Sequence, residues 1–271
     1  MDLDYISKKK AEIEGWFGAN CTKVIVAFSG GVDSCLVAFL ARRYLGKENT
    51  LAVIADSPSL KRKDLEIANA FCEQFDIDLE IVQTKELENP NYASNPIDRC
   101  YFCKFTLYDE LKSIASQYPG TTILNGQNFD DLGDYRPGIK AAQEYKVLKP
   151  LADCHFSKQD IRDMAQHYNL STWDKPASPC LSSRIPYGQE VTIEKLRQIE
   201  DAENMLNAMG FEEVRVRHFG DRAKVEVPAN QLERLKIHEN TIRKNLIDIG
   251  FVQCEIDEEG LISGKLNRAL A

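Results

Sequence analysis

A short apolar run over residues 23–28 (KVIVAF) passes straight into Ser29-Gly30-Gly31-Val32-Asp33-Ser34, and a helical pattern follows over 35–44. This junction constrains the fold more than any other stretch. A β-branched run without polar alternation is a strand buried on both faces, the usual condition of a parallel sheet. Two adjacent glycines let the backbone approach an anion closely. The helix behind them offers unpaired N–H groups and the positive end of its dipole to phosphate. Ser29 and Ser34 add hydroxyl donors, while Asp33, a carboxylate in an anion-binding loop, either caps the helix or holds Mg²⁺. The Gly-Lys-Ser/Thr ending of the Walker loop is absent, and the glycine spacing is not that of a dinucleotide fingerprint. A plain glycine turn is the alternative reading.

Strand and helix patterns alternate after the loop. Strands are expected over 50–55, 79–82 and 121–124, with 146–148 as a candidate fifth, and helices over 5–16, 61–75, 101–117 and 158–167. Ser157 followed by Asp160 marks the start of that last helix. Residues 84–99, polar and holding Pro90 and Pro96, are expected to be loop. The pattern predicts an α/β fold, a parallel sheet with helices on both faces, over residues 1–170. Residues 171–189 form an ordered linker rich in Pro, Ser and Gly. Residues 190–271 carry a helix over 193–209, strands over 214–218 and 223–227, a helix over 231–249 and a strand over 252–256. They make a small α+β domain for substrate binding or oligomerisation.

The formal net charge of −8 disfavours broad nucleic-acid binding, which needs a basic surface. No apolar run approaches the roughly 20 residues of a membrane helix, and the acidic start lacks an apolar signal region, so a cytoplasmic location is expected. In such a reducing compartment the eight cysteines seldom pair, and closely spaced ones suggest metal or redox chemistry. Cys21, Cys35, Cys72, Cys154 and Cys254 lie in or beside apolar stretches and read as core residues. Cys100 and Cys103, separated by two residues at the start of a helix, and Cys180 stand apart from them.

The loop resembles the PP-loop ATP pyrophosphatases, marked by SGG-x-DS after the first strand. That resemblance implies cleavage of ATP between its α and β phosphates, with adenine near Ala55-Asp56-Ser57. Gly126 and Asp130, after the fourth strand, are expected to face the same crevice, since ligands of open α/β sheets sit at the carboxyl ends of strands. They read equally well as a turn with a helix-capping acid. Three further stretches, Asp134-Tyr135-Arg136-Pro137-Gly138, Pro179-Cys180-Leu181-Ser182-Ser183-Arg184-Ile185-Pro186-Tyr187-Gly188 and Val214-Arg215-Val216-Arg217, together resemble the LarE family. These are sulfur transferases that build the thiocarboxylates of the nickel-pincer nucleotide used by lactate racemase.

The resemblance implies adenylation of a carboxylate of pyridinium-3,5-biscarboxylic acid mononucleotide with ATP and Mg²⁺, then sulfur transfer to a thiocarboxylate. It implies that Arg215 and Arg217, sharing one face of a strand, grip the substrate phosphate together with Arg184; a solvated strand face is the alternative. Glu203 is a similar candidate, with plain helix surface as the commoner reading, and Asp131 is given no role. The pair Cys100 and Cys103 with Cys180 resembles a three-cysteine subgroup carrying a [4Fe-4S] cluster, whose open iron holds the hydrosulfide that is transferred. Sacrifice of the Cys180 sulfur beside a Cys100–Cys103 disulfide, or a zinc site, are the alternatives. A cluster-dependent tRNA thiolase, an ammonia-using amidating enzyme and a non-catalytic iron–sulfur carrier are the rival readings. The expected partners are a small nucleotide substrate, a sulfide source and further copies of the chain in a homo-oligomer.

Overall fold

The computed structural model describes residues 3–133, 137–262 and 264–270. Asp134, Tyr135 and Arg136 therefore lie outside the described residues. The chain forms two compact units. One is Met1–Glu86 with Asp98–Ser178; the other is Leu87–Ile97 with Pro179–Ala271.

In the first unit, α1 (Leu3–Asn20) precedes β1 (Lys23–Phe28), α2 (Val32–Leu45), β2 (Thr50–Asp56), α3 (Arg62–Gln74) and β3 (Asp78–Gln83). The chain then crosses into the second unit through a short helix α4 (Pro90–Ala93). It returns as α5 (Arg99–Ser116), β4 (Thr121–Leu124), α6 (Pro137–Glu144), α7 (Pro150–Asp153) and α8 (Lys158–His167). The four strands make one parallel sheet in the order β3-β2-β1-β4. β1 is central, and Val24 to Phe28 are all buried, which is why its sequence shows no alternation. β3 lies at an edge, and its pattern of exposed and half-buried residues follows from that position.

One face of the sheet packs Val24, Val26 and Phe28 against Leu36 and Leu40 of α2 and Ile161 and Met164 of α8. The other packs Ile25, Val53 and Ile123 against Leu107 and Leu111 of α5. The helices on both faces put the carboxyl ends of β1 and β4 at one open rim.

The expected fifth strand over 146–148 is not a strand. Leu148 makes only an isolated parallel bridge to Leu124, because Lys146 has a positive φ of 54° and Pro150 follows. The expected loop over 84–99 contains α4, started by Pro90 behind an Asn89 side-chain cap.

The second unit contains α9 (Ile193–Ala208), β5 (Arg215–Phe219), β6 (Arg222–Glu226), α10 (Leu232–Ile237), α11 (Glu239–Ile249) and β7 (Gln253–Ile256). Its sheet runs β5-β6-β7, antiparallel then parallel. Leu206, Phe211, Val216, Val225, Ile242 and Leu246 fill its core. The helix expected over 231–249 is two helices, broken at His238, whose N–H bonds back to the Leu235 carbonyl.

Candidate active site

The loop after β1 is folded by its own hydroxyls. The Ser29 N–H donates to Ser34 Oγ at 3.2 Å, Ser34 Oγ donates to the Gly31 carbonyl at 3.0 Å, and the two hydroxyls lie 3.1 Å apart. Gly30 has φ +67°, and a Cβ there would stand 3.2 Å from the Asp64 carbonyl and from Ala68 Cβ. Gly126, just past β4, comes closer still: a Cβ there would lie 2.8 Å from Ser34 N. These two contacts require glycine.

α2 begins at Val32 with Gly31 as its N-cap and no side-chain cap, so its first N–H groups are left to a ligand. α8 shows the contrast: Ser157 and Asp160 form a complete capping box. Asp33 is not the N-cap residue of α2 but sits in its first turn, where its carboxyl meets its own backbone N–H. Its Oδ1 accepts from Asn128 Nδ2 at 2.9 Å. Burial pushes the Asp33 carboxyl pKa up, and the nearby Asp131 adds to this, while the Asn128 hydrogen bond and Lys158 oppose it. A half-buried carboxylate near the buried Asp131 fits a divalent cation, which would offset both charges.

Around the loop, Ser57 is buried at the end of β2, with its hydroxyl 2.9 Å from that of Ser59, and Ala55 is half-buried in the strand. Asp130 is exposed and accepts from the backbone N–H of Lys158 at 2.8 Å. It thus serves as an added cap on α8, the helix-capping alternative for this residue. Residues not singled out in the sequence also meet the loop. Lys175 Nζ donates to the Gly30 carbonyl at 2.8 Å and pairs with Asp64 at 3.0 Å; Ser178 Oγ donates to the same carboxylate at 2.7 Å. Asn128 and Lys175 lie far along the chain from the loop, and nothing local in the sequence marks them.

In the second unit, Cys180 opens a 3-10 turn, Leu181–Arg184. Arg184 is 1% exposed, and its side chain lies on the buried Glu203 at 2.8 Å. Its Nη1 donates to the carbonyls of Pro179 at 2.8 Å and Cys180 at 3.3 Å and to Ser183 Oγ at 2.9 Å. Glu203 also accepts from the N–H of Val216. Glu203 is therefore not helix surface: α9 carries it inward to compensate a buried guanidinium. Arg217 is likewise buried, paired with Glu226 at 2.8 Å and donating to the Ser183 carbonyl at 2.8 Å. The solvated-face reading of β5 is overturned.

Arg215, 9% exposed, differs from the other two. Burial lowers its pKa, with Arg184 and Arg217 adding to the effect against the weaker pull of Glu226 and Glu203. Among the described residues no carboxylate lies within ion-pair distance of it. Of the three arginines expected at a phosphate, Arg184 and Arg217 are committed to the protein, and Arg215 has no carboxylate of its own.

The turn is also held by the segment that crosses into this unit. Tyr92 Oη lies 2.7 Å from the buried Ser182 hydroxyl, and Asn95 Nδ2 donates to the carbonyls of Ile185 and Pro186. The Gly188 and Val191 N–H groups return bonds to Asn95 and Ala93.

The eight cysteines divide by exposure. Cys21, Cys35, Cys72, Cys154 and Cys254 are buried, and burial pushes the thiol of Cys21 up to about 11 and those of Cys35, Cys72 and Cys154 to about 12. These four thiols are protonated and inert at neutral pH. Cys100 is exposed at the start of α5, Cys103 is half-buried one turn on, and Cys180 is half-buried in its turn. Among the described residues, no three His, Cys, Asp or Glu side chains form a group that could hold a metal ion. No helix among them is long and apolar enough to cross a membrane.

Residues 13–94 match the family model described as NAD synthase. The chain is 43% identical to an uncharacterised protein of Synechocystis sp. over 98% of this chain and 99% of the relative. It is 34% identical to the pyridinium-3,5-bisthiocarboxylic acid mononucleotide synthase of Lactiplantibacillus plantarum over 92% of this chain and 90% of that enzyme. It is 30% identical to a glutamine-hydrolysing GMP synthase component of Thermoplasma volcanium, over 71% of this chain and 65% of that relative.

Proposed function

This chain belongs to the family of the pyridinium-3,5-bisthiocarboxylic acid mononucleotide synthases, PP-loop ATP-dependent sulfurtransferases, and on that premise we propose that it adenylates a pyridinium carboxylate and replaces one carboxylate oxygen with sulfur. The observation that carries this reading is the junction of β1 and α2, a helix start without an N-cap side chain behind a glycine loop, with the half-buried Asp33 in its first turn. The loop takes the β and γ phosphates of ATP on its N–H groups and the Ser29 and Ser34 hydroxyls. Asp33 would hold Mg²⁺, which offsets the phosphate charge. Adenine lies toward Ala55 and Ser57, and Gly126 closes the opposite side of the loop.

A substrate carboxylate oxygen attacks the α phosphorus and pyrophosphate leaves. The resulting acyl-adenylate exposes a carbonyl carbon whose leaving group is AMP. A sulfur nucleophile adds there, AMP departs, and a thiocarboxylate remains. Arg215 fits the phosphate of the mononucleotide, because a buried cation without a carboxylate partner is relieved by an anion. Arg184 and Glu203 hold the backbone of Cys180, and Arg217 holds the turn behind it.

We further propose that Cys100, Cys103 and Cys180, the thiols left accessible while five others are buried, would hold a [4Fe-4S] cluster. When bound, such a cluster would supply sulfide from an iron without a protein ligand. Sulfur would then come from outside the chain, and Cys180 would survive the reaction.

Anaerobic reconstitution with iron and sulfide, followed by assay with ATP, sulfide and the biscarboxylic mononucleotide, tests this. More than one thiocarboxylate per chain is expected, with Cys180 unchanged in mass. A single turnover with Cys180 converted to dehydroalanine would replace the cluster by the sacrificial route, and absence of AMP and pyrophosphate would overturn adenylation itself.

A further inference from the structure

We propose that Lys175 is a pyrophosphate-binding residue of the loop, held ready by Asp64 and supplied by the segment that leads into Cys180. The proposal rests on the ATP-splitting role given to the loop above. Lys175 follows α8 in the first unit, and its ammonium hydrogen-bonds the loop itself, at the Gly30 carbonyl, 2.8 Å away. Its side chain is 13% exposed and that of its partner Asp64, 3.0 Å away, 11%.

A structural role alone would be served by Asp64 and its hydroxyl donor. Ser178 Oγ reaches Asp64 Oδ2 at 2.7 Å, leaving Lys175 on Oδ1. Arg162 separately fixes the backbone of this segment, through the carbonyls of Trp173 at 2.8 Å and Lys175 at 3.0 Å. The segment is thus anchored without the ammonium.

Charge points the same way. The loop and its surroundings carry the carboxylates of Asp33, Asp64 and Asp131, yet the proposed ligand is strongly anionic. An ammonium in the loop is needed alongside Mg²⁺ to bind that ligand and to favour its departure as a leaving group. Lysine suits this better than arginine: its compact head turns between acceptors on a flexible stem. The ammonium keeps its place beside Gly30 and exchanges part of its bonding with Asp64 for a phosphate oxygen. Asp64 retains Ser178, so this end of the first unit stays anchored while the phosphate site fills.

Calorimetric titration of the full chain with inorganic pyrophosphate and Mg²⁺ tests this, using wild type, Lys175→Met, Lys175→Arg and Ser178→Ala. Loss of a charge-assisted hydrogen bond should weaken pyrophosphate binding about 10- to 100-fold in Lys175→Met. Lys175→Arg should recover part of that loss, and Ser178→Ala should stay within about threefold of wild type. Binding by Lys175→Met equal to wild type overturns the proposal. So does an equal loss in Ser178→Ala, which would make the whole segment a structural strap. If Lys175→Met does not fold, the Arg and Ser178→Ala variants decide by the same criteria: Lys175→Arg weaker than Ser178→Ala supports the proposal, and the reverse order overturns it. Failure of wild type to bind pyrophosphate would instead refute the function assigned to the loop.

Discussion

Arg184 illustrates how burial changes what a charged residue does. Within the PCLSSR-x-PYG stretch it resembles a phosphate ligand, yet its five donors face Glu203, two carbonyls and a hydroxyl, and 1% of its surface is exposed. Truncating one partner of such a pair leaves the other charge buried and alone, which costs about 3–5 kcal/mol. Arg184→Ala and Glu203→Ala should each lower stability by that order in urea denaturation. The double replacement Arg184→Met with Glu203→Leu should recover much of the loss but not the sulfur-transfer activity, because the Cys180 carbonyl still lacks its donor. Full activity in a stable double variant would show that the pair serves only stability. The sequence could not reveal this pairing. Both residues are charged, 19 positions separate them, and the period of α9 places Glu203 on the buried face only if a neighbouring turn supplies its partner. Lys175 and Asn128 were hidden for the same reason: their contacts with the loop are formed by the tertiary fold.

At the scale of elements, the local signals were strong where a single segment carries its own reason for its shape. β1 spans Lys23–Phe28 and β4 spans Thr121–Leu124, as their apolar runs indicate, and the Ser157–Asp160 box starts α8. The signals failed where the reason lies elsewhere in the chain. α4 and its neighbours looked like an ordinary polar loop, but the Ala93 and Asn95 carbonyls accept from the Val191 and Gly188 N–H groups, and the Asn95 side chain donates to Ile185 and Pro186, all within the second unit. The break at His238 has no proline or glycine to announce it. The junction of β4 with the phosphate loop gives the sharpest test at this scale. Gly126→Ala places a Cβ 2.8 Å from Ser34 N and 3.0 Å from the Asp33 carbonyl carbon, backbone atoms that cannot step aside. Overpacking of this kind costs about 1–3 kcal/mol. Thermal unfolding should show that modest loss, while pyrophosphate release should fall by more than about tenfold because the displaced atoms belong to the anion site. An active Gly126→Ala variant would mean that the loop does not need this approach.

Across the whole molecule, the residues proposed for the reaction fall in both units. The first holds the phosphate loop, Lys175, Cys100 and Cys103; the second holds Cys180 and the three arginines. The alternation of strand and helix patterns foretold a parallel α/β sheet and a smaller α+β sheet, and the loop pattern foretold the ATP-using family. The apolar settings of Cys21, Cys35, Cys72, Cys154 and Cys254 marked them as core thiols in the sequence, and they are buried, while Cys100, Cys103 and Cys180 are accessible. The central claim is that ATP activates a carboxylate of the substrate, and isotope transfer tests it most directly. With ¹⁸O in the substrate carboxylates, the released AMP should carry one ¹⁸O in its phosphate, transferred when AMP departs from the acyl-adenylate. Unlabelled AMP formed with stoichiometric thiocarboxylate would mean that the carboxylate never met the α phosphorus, and would contradict the account.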